Sequence, residues 1–470
     1  MAKALSHFVC QSCGASFPKW AGKCEACGSW NALVEETQAG PPKGLHDGKG
    51  RGRANRIDFV PLKSDSDTPI PRRFSRIGEF DRVLGGGLVS GSATLVGGDP
   101  GIGKSTLLLQ VVCNLAAQYK VAYISGEEAI EQVRLRAVRL GLADAPCELA
   151  CETSVRDIVA AIDQANTPDI LIIDSIQTMY VDTLDSAPGT VAQVRTSAQE
   201  LIRIAKKRDI SLLIVGHVTK DGTIAGPRVL EHMVDTVLYL EGDRGHQFRV
   251  LRGVKNRFGP TDEIGVFEMT DKGLMEVQNP SALFLSDRRE DMSGAAVFAG
   301  LEGTRPVLVE IQALVAPTTY GTPRRAVVGW DTGRLAMILA VLEARCGVAF
   351  GNNDVYLNVA GGFRIVEPAA DLAVAAALLS SLTGEPVPTS CVAFGEIGLS
   401  GEVRPVSQPE LRIKEAVKLG FTGAIMPQND KARKTGAPPL LRTTELRLLT
   451  ELLPLFQGGT PQRKQAEKGR

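Results

Sequence analysis

Between residues 74 and 233, short apolar runs alternate with longer amphipathic stretches. The runs SATLVGG (92–98), VAYISG (121–126), DILIIDS (169–175) and SLLIVGHV (211–218) are each bounded by turn residues. Between them lie stretches of helical character such as KSTLLLQVVCNLAAQY (104–119) and SVRDIVAAIDQAN (154–166). This alternation predicts βαβ units around a buried, largely parallel sheet. After residue 233 the helices stop, and DTVLYLEG, FRVLRGV and EIGVFEMT predict successive antiparallel strands closing one edge. NPSALFLSDR marks a boundary near 278–292. Beyond it strands (PVLVEIQALV, AVVGW, VYLNVAG) mix with alanine-rich helices (LAVAAALLSSLTG, ELRIKEAVKLG). The chain thus divides into a cysteine module at 1–34, a Gly-, Pro- and charge-rich linker at 35–72, an α/β domain at 73–278, a second α/β domain at 290–456 and a tail at 457–470 of disordered composition.

Composition works mainly by exclusion. Lys plus Arg equals Asp plus Glu at 53 each, so no global field draws nucleic acid, while local patches remain compatible with it. No apolar window reaches the length of a membrane span, and MAKALSHFVCQSC lacks the apolar core of a signal peptide. A cytoplasmic location with no membrane partner is expected. The nine cysteines, an odd number, argue against a disulfide framework. Four of them, Cys10, Cys13, Cys24 and Cys27, are spaced C-x2-C-x10-C-x2-C. Each C-x2-C turn aims two thiolates at one ion, and two turns complete a closed tetrahedral Zn2+ site. Gly14 and Gly28 follow the two pairs, where tight knuckles favour a backbone of positive φ. A module this small buries too little apolar area to fold alone, so the metal must supply much of the folding energy. Trp20 and Trp30 are expected to pack on the knuckles in preference to stacking on a base. The spacing leaves open whether the ribbon meets DNA or protein.

The chemistry is densest at GGDPGIGKST. Gly98 to Ser105 fits G-x4-G-K-[ST], follows a strand and opens a helix, which is the context this motif needs. The candidate nucleotide-binding residues are Gly98, Asp99, Pro100, Gly101, Ile102, Gly103, Lys104, Ser105 and Thr106. Backbone N–H groups there can close around the phosphates of ATP, and the helix N-terminus favours their charge. Lys104 is expected to reach the β- and γ-phosphates and Ser105 to hold Mg2+. Asp174, at the end of DILIID, supplies the second Mg2+ element. Glu127 and Glu128 end another strand; Glu127 is the candidate for polarising the attacking water, Glu128 for beginning the next helix. His217, at the end of SLLIVGH, is the candidate sensor of the γ-phosphate.

One cationic stretch stands apart. In VLRGVKNRFGP (250–260), Lys255 and Arg257 are two apart and point the same way on an extended chain. They read either as solvated edge-strand cations or as a charge supplied in trans to a neighbour's phosphates. The cysteine module, the P-loop and the KNRFG motif (Lys255, Asn256, Arg257, Phe258, Gly259), in this order, resemble the bacterial RadA (Sms) recombination and DNA-repair family over essentially the whole chain. The resemblance implies a RecA-like ATPase core and a hexameric ring. It also implies ATP-dependent binding of DNA, translocation on single strands, and heteroduplex extension or branch migration of branched DNA beside the RecA recombinase. On that resemblance Lys255 and Arg257 act as trans phosphate contacts coupled to DNA. The DNA loops of RecA-like motors would fall at 180–194 and 219–231, with Lys220 and Arg228 as phosphate ligands in the second. A nucleotide-switched scaffold without translocation is the alternative reading.

The last domain resembles the proteolytic domain of Lon, through VEPAADLAVAAALLSSLTGEPVP (366–388), GEIGLSGEVRPV (395–406) and ELRIKEAVKLGFTGAIMP (410–427). Lon's reaction needs a Ser nucleophile and a Lys base. Ala369 takes the Ser position and Glu410 the Lys position, so peptide hydrolysis is not expected. The overall expectation is an α/β chain with a RecA-like P-loop core, an N-terminal zinc ribbon and an inactive Lon-protease-like domain. In the last of these, Arg305, Arg324, Arg325, Arg345 and Arg364 are candidate DNA contacts.

Overall fold

A computed structural model of the chain describes residues 6–10, 15–26, 28, 30, 33–37, 71–163, 167–217, 228–242, 247–285, 292–319, 321–388, 390–428 and 442–456. Cys13, Gly14, Cys27, Lys220, most of the expected linker and the tail lie outside these residues. The chain forms two units, Met1–Val277 and Gln278–Arg470.

The first unit is built on nine strands in the order Gly273–Glu276, Ile264–Thr270, Phe248–Asn256, Thr236–Glu241, Ala93–Gly98, Ser211–Val215, Ile170–Asp174, Val121–Ser125 and Cys147–Cys151. The six from Thr236–Glu241 onward are parallel. Here one expectation is corrected. Thr236–Glu241 was expected as the first antiparallel edge strand, yet it pairs in parallel with Ala93–Gly98 and only its outer neighbours are antiparallel. The crossover comes from Arg228–Met233, a helix too short to leave a periodic signal.

Successive residues along these strands feed two cores. Val96, Ile170 and Ile172 pack with Phe80 and Val83 of helix Gly78–Val83 and with Leu107, Leu108 and Val111 of helix Lys104–Ala116. Leu95, Leu171 and Ile173 pack on the other face with Val155 and Ile158 of helix Val155–Ile162 and Val194 and Leu201 of helix Val191–Lys207. Burial on both sides explains why Ile170–Asp174 and Ser211–Val215 are buried at every position. Polar groups in such strands gather at the ends. Ser125 is level with Asp174, and Val215 is level with Val96, two residues before Gly98. The P-loop and the ends of these strands therefore open onto one edge of the sheet.

The ribbon is a three-stranded antiparallel sheet, Ser16–Phe17, Ser6–Cys10 and Leu33–Thr37. Among the described residues, the main sheet of the second unit has seven strands in the order Arg325–Val328, Asn353–Val359, Arg305–Pro317, Ala295–Glu302, Cys391–Ala393, Gly423–Pro427 and Arg442–Leu446. Helix Asp371–Thr383 packs on it, buried at every residue from Asp371 to Ser380. Ser380 and Ser381, on that helix, serve the backbone: Ser380 Oγ accepts from Gly294 N–H (2.9 Å) and Ser381 Oγ from Val315 N–H (2.9 Å).

The surroundings of Ala369 are braced by ion pairs. Ala369 itself is buried, and Glu410 is exposed. Two residues before Ala369, Glu367 pairs with the fully buried Arg412, which also donates to the Ala299 carbonyl (2.7 Å) and lies over the Phe394 ring. Two residues after it, Asp371 takes a bidentate pair from Arg334 (2.6 Å and 2.6 Å) and the Ile397 N–H. Burial still leaves the Asp371 carboxyl above its usual range, because desolvation outweighs the guanidinium. Three of the five candidate arginines hold backbone: Arg305 donates to the Gln278 carbonyl, Arg325 to those of Asn353 and Phe350, and Arg345 to that of Leu399 (3.5 Å). Arg305 is also 8% exposed, so its expected DNA role is corrected. Arg412→Ala would strand the Glu367 carboxylate, and we expect it to lower the stability of this unit by about 3 kcal/mol. Urea unfolding followed through the buried Trp330 measures this, and an unchanged midpoint would contradict it.

Candidate nucleotide site and cysteine ribbon

The P-loop is shaped by backbone that only glycine adopts easily. Gly98 (φ 148°) and Gly103 (φ 115°) both have positive φ. A Cβ on Gly98 would stand 2.5 Å from the Leu240 carbonyl oxygen, and one on Gly103 2.9 Å from the Met269 methyl. Between them Ile102 is buried in the core, and its carbonyl accepts from the buried Arg249 (3.3 Å). Asp99, Pro100 and Gly101 stay exposed, and Ser105 and Thr106 are half-buried in the first turn of helix Lys104–Ala116. Lys104 is buried and donates to the carbonyls of Gly98 (2.7 Å) and Asp99 (2.9 Å). Burial lowers its pKa, while Asp174, Glu127 and Asp99 oppose the shift.

The strand ends bring the predicted acids to this lysine. The Asp174–Ser175 peptide is cis. Asp174 accepts a hydrogen bond from the buried Tyr123 hydroxyl through Oδ2. Glu127 accepts from the Ser175 hydroxyl and lies 3.0 Å from His217 Nε2 through the same oxygen, Oε1. The imidazole contact, then the hydroxyl, holds the Glu127 carboxyl below its ordinary range against the pull of burial. Glu128 points elsewhere: it pairs with Arg136, and its N–H is bound by Ser125 Oγ (2.9 Å) just before helix Ile130–Arg139. Glu127, His217, Ser175 and Asp174 thus gather at one strand edge, within electrostatic reach of Lys104. Tyr123 and Ser175 were missed by sequence reasoning. Tyr123 left one usable signal, since a tyrosine in a fully buried strand needs a partner for its hydroxyl.

KNRFG lies elsewhere. Lys255 is level with Val237 and so with Leu95, and the Arg257 N–H donates to the Asp235 carbonyl at the level of Ala93. Five residues separate Ala93 from Gly98, roughly 17 Å along a strand. Lys255 and Arg257 do point the same way. Lys255 Nζ donates to the carbonyls of Glu231 (2.6 Å) and Val234 (2.8 Å), where the short helix ends. Burial, then the Arg257 charge, depresses its pKa. Arg257 reaches Asp235 (3.0 Å), which Lys206 also contacts (3.2 Å), and its side chain remains 56% exposed. The expectation that both cations face outward is therefore corrected for Lys255, whose amine is turned onto helix carbonyls. Asn256 points to the opposite face, toward the Val83 carbonyl, and its Oδ1 accepts the Phe258 N–H (2.9 Å). A Cβ on Gly259 would meet Gly85 Cα at 3.0 Å.

Of the two expected DNA loops, 180–194 is drawn together by the buried Gln193, which accepts from the Val181 N–H and donates to the Val181, Leu184 and Ser186 carbonyls. The second lies mostly outside the described residues; Arg228 opens helix Arg228–Met233. In the ribbon, Cys10 and Cys24 are both buried in one cluster with Leu33. Their knuckles close through Cys10 N–H to the Ala15 carbonyl (2.9 Å) and Gly28 N–H to the Cys24 carbonyl (2.8 Å), with Gly28 at φ 77°. Paired turns carrying inward thiols fit a four-cysteine metal site completed by Cys13 and Cys27. Trp20 and Trp30 are 58% and 72% exposed, which overturns the expectation that they pack on the knuckles.

Comparison with known proteins follows the same division. Family models described as AAA domain, Rubredoxin metal binding domain and Subunit ChlI of Mg-chelatase match residues 63–223, 8–35 and 314–430. The DNA repair protein RadA of Brucella abortus (strain 2308) is 62% identical over 438 residues, covering 91% of this chain and 92% of its own. This chain belongs to the RadA family of DNA repair proteins. RadA of Bacillus subtilis (strain 168) is 51% identical over 91% of this chain and 93% of its own, and RadA of Rickettsia bellii (strain RML369-C) 49% identical over 96% and 99%. The matched AAA, metal-binding and ChlI segments coincide with the P-loop unit, the ribbon and the C-terminal α/β domain, and they support a nucleotide and zinc as ligands of this chain. Among the described residues, no helix is long and apolar enough to cross a membrane.

The Glu127–His217 contact carries a pH prediction. Without the imidazole, the Glu127 pKa rises toward the ordinary carboxylate value. If ionised Glu127 assists hydrolysis, the acid limb of the ATPase pH profile of His217→Ala moves to higher pH. A limb at the wild-type position would contradict the coupling.

Proposed function

We propose that this protein is a ring-forming, DNA-dependent ATPase that translocates on single-stranded DNA and extends heteroduplex or migrates branches beside the RecA recombinase. The observation that carries this reading is the distance of Arg257 from its own P-loop. An exposed guanidinium about five residues down the strand from Gly98 is out of reach of the phosphates of its own chain. It is available to those of a neighbour, which makes hydrolysis a property of the junction between protomers. Membership of a DNA-repair family and a RecA-like core support nucleic acid as the track.

Within one protomer the roles follow from position. The glycine-shaped loop offers its N–H groups to the phosphates, and Lys104 adds the fixed charge. Glu127 orients the attacking water and takes its proton, with Ser175 and His217 holding the carboxylate in place and ionised. Ser105 and Asp174 would hold Mg2+. Both are oxygen donors suited to that ion, and Tyr123 engages only one oxygen of Asp174. Bound there, the ion would supply neutralisation of phosphate charge. Arg257 of a neighbouring protomer stabilises the charge of the transition state, and Lys255 fixes the helix end beside Asp235 so that the guanidinium is presented. Lys220 and Arg228 remain proposed phosphate ligands of the DNA.

Strand displacement from a forked DNA tests the motor. Wild-type protein with ATP and Mg2+ is expected to displace a labelled strand, and Lys104→Ala to displace none. Arg257→Ala is expected to bind ATP normally while hydrolysis falls about a thousandfold or more, the usual worth of an arginine supplied to a phosphoryl transition state. Lys255→Ala is expected to uncouple DNA movement with ATP binding intact. Wild-type protein that binds DNA and hydrolyses ATP but displaces nothing would overturn the motor and leave the ATP-switched scaffold.

A further inference from the structure

The ribbon carries more apolar surface outside than its small core explains. Among the described residues its interior is Cys10, Cys24 and Leu33, with Phe8, Ala15, Phe17 and Ala21 against them. Trp20 and Trp30, the largest side chains of the module, are instead 58% and 72% exposed. Single exposed apolar residues are ordinary, but two tryptophans on so small a module are not. Cations interleave with them. Lys23 pairs across an antiparallel bridge with Trp30, and its ammonium lies 5.6 Å from that ring's centroid. Lys19 is exposed beside Trp20, and Gly22 leaves room at the edge of the Trp20 ring, where a Cβ would make ordinary contact at 3.8 Å. Glu25 is the one acidic residue between positions 15 and 30.

We propose that Trp20 and Trp30, with Lys19 and Lys23, form a stacking platform for single-stranded nucleic acid. The chemistry favours this occupant over a protein. Lysine is depleted from the cores of protein interfaces, whereas single-strand platforms alternate aromatic rings with backbone-binding cations. Unpaired bases offer π faces to both rings while Lys19 and Lys23 meet phosphates. A duplex keeps its bases stacked inside and offers the rings nothing. The inference rests on the DNA-motor reading only in taking nucleic acid as a ligand, and it assigns the ribbon the first contact with an exposed strand.

The chain has three tryptophans, and the third, Trp330, is buried, so quenching by an added ligand reports mainly on the two exposed rings. Oligothymidylate added to the full-length protein is expected to quench it. Anisotropy of a labelled oligothymidylate should show the Trp20→Ala, Trp30→Ala double variant binding roughly tenfold or more weakly. Its zinc content and DNA-free ATPase should stay at wild-type values. Should that variant lose zinc, Lys19→Ala with Lys23→Ala decides: weaker binding with a shallower salt dependence supports the platform, and wild-type binding overturns it. Unquenched fluorescence with unchanged affinity also overturns it, leaves the ribbon a protein-docking module and leaves the motor reading standing. Absence of any DNA binding by wild-type protein would remove both.

Discussion

Three central parallel strands, buried at every position, leave the chain no place for polar chemistry except their ends. That constraint organises the first unit. Tyr123, Ser175, Glu127, Asp174, Lys104 and His217 are scattered over more than a hundred positions of the chain, yet each stands at or beside the same edge of one sheet. The glycines of the loop let the backbone turn there without side chains, and the buried Ile102 and Arg249 anchor it. The opposite edge is equally well built and serves another purpose. Asp235 gathers Lys206 and Arg257 and accepts the Ala93 N–H, tying the start of the P-loop strand to the KNRFG turn. In the proposed ring, the two edges of one protomer would be the two halves of a shared site.

The second unit carries a braced alanine at the position that the Lon resemblance assigns to a nucleophile. Where a Lon-type nucleophile would stand there is a buried alanine, flanked by Glu367 and Asp371. Each carboxylate is matched to an arginine and a backbone N–H. Removing one partner of such a pair is costly, so the arrangement preserves the fold around the position without needing its chemistry.

Much of this was legible in the sequence because it depends on local pattern. The continuous apolar strands announced a sheet buried twice, GGDPGIGKST announced its own strand–loop–helix context, and the cysteine spacing announced paired knuckles, with Gly28 at the positive φ expected of it. What stayed hidden depends on contacts between distant residues. Tyr123 read as core until its hydroxyl met Asp174, fifty-one positions away. The parallel pairing of Thr236–Glu241 was obscured because a six-residue helix carries its crossover. Lys255 and Arg257 were correctly placed on one side of a strand, but alternation cannot say that one ammonium caps a helix while its neighbour stays in solvent. The tryptophans of the ribbon were misjudged because composition favours burial of large aromatics, whereas both rings stand outside the small core formed by the described residues.

The central claim is that Arg257 completes a neighbour's nucleotide site. It is tested most directly by mixing Lys104→Ala and Arg257→Ala proteins and measuring DNA-stimulated ATP hydrolysis. Each alone is expected to be nearly inactive. If the cation acts in trans, mixed assemblies contain junctions with an intact P-loop facing an intact Arg257, and the mixture recovers activity that neither parent has. If the mixture hydrolyses ATP only at the average of its two parents, Arg257 serves its own chain or none, and the account is contradicted.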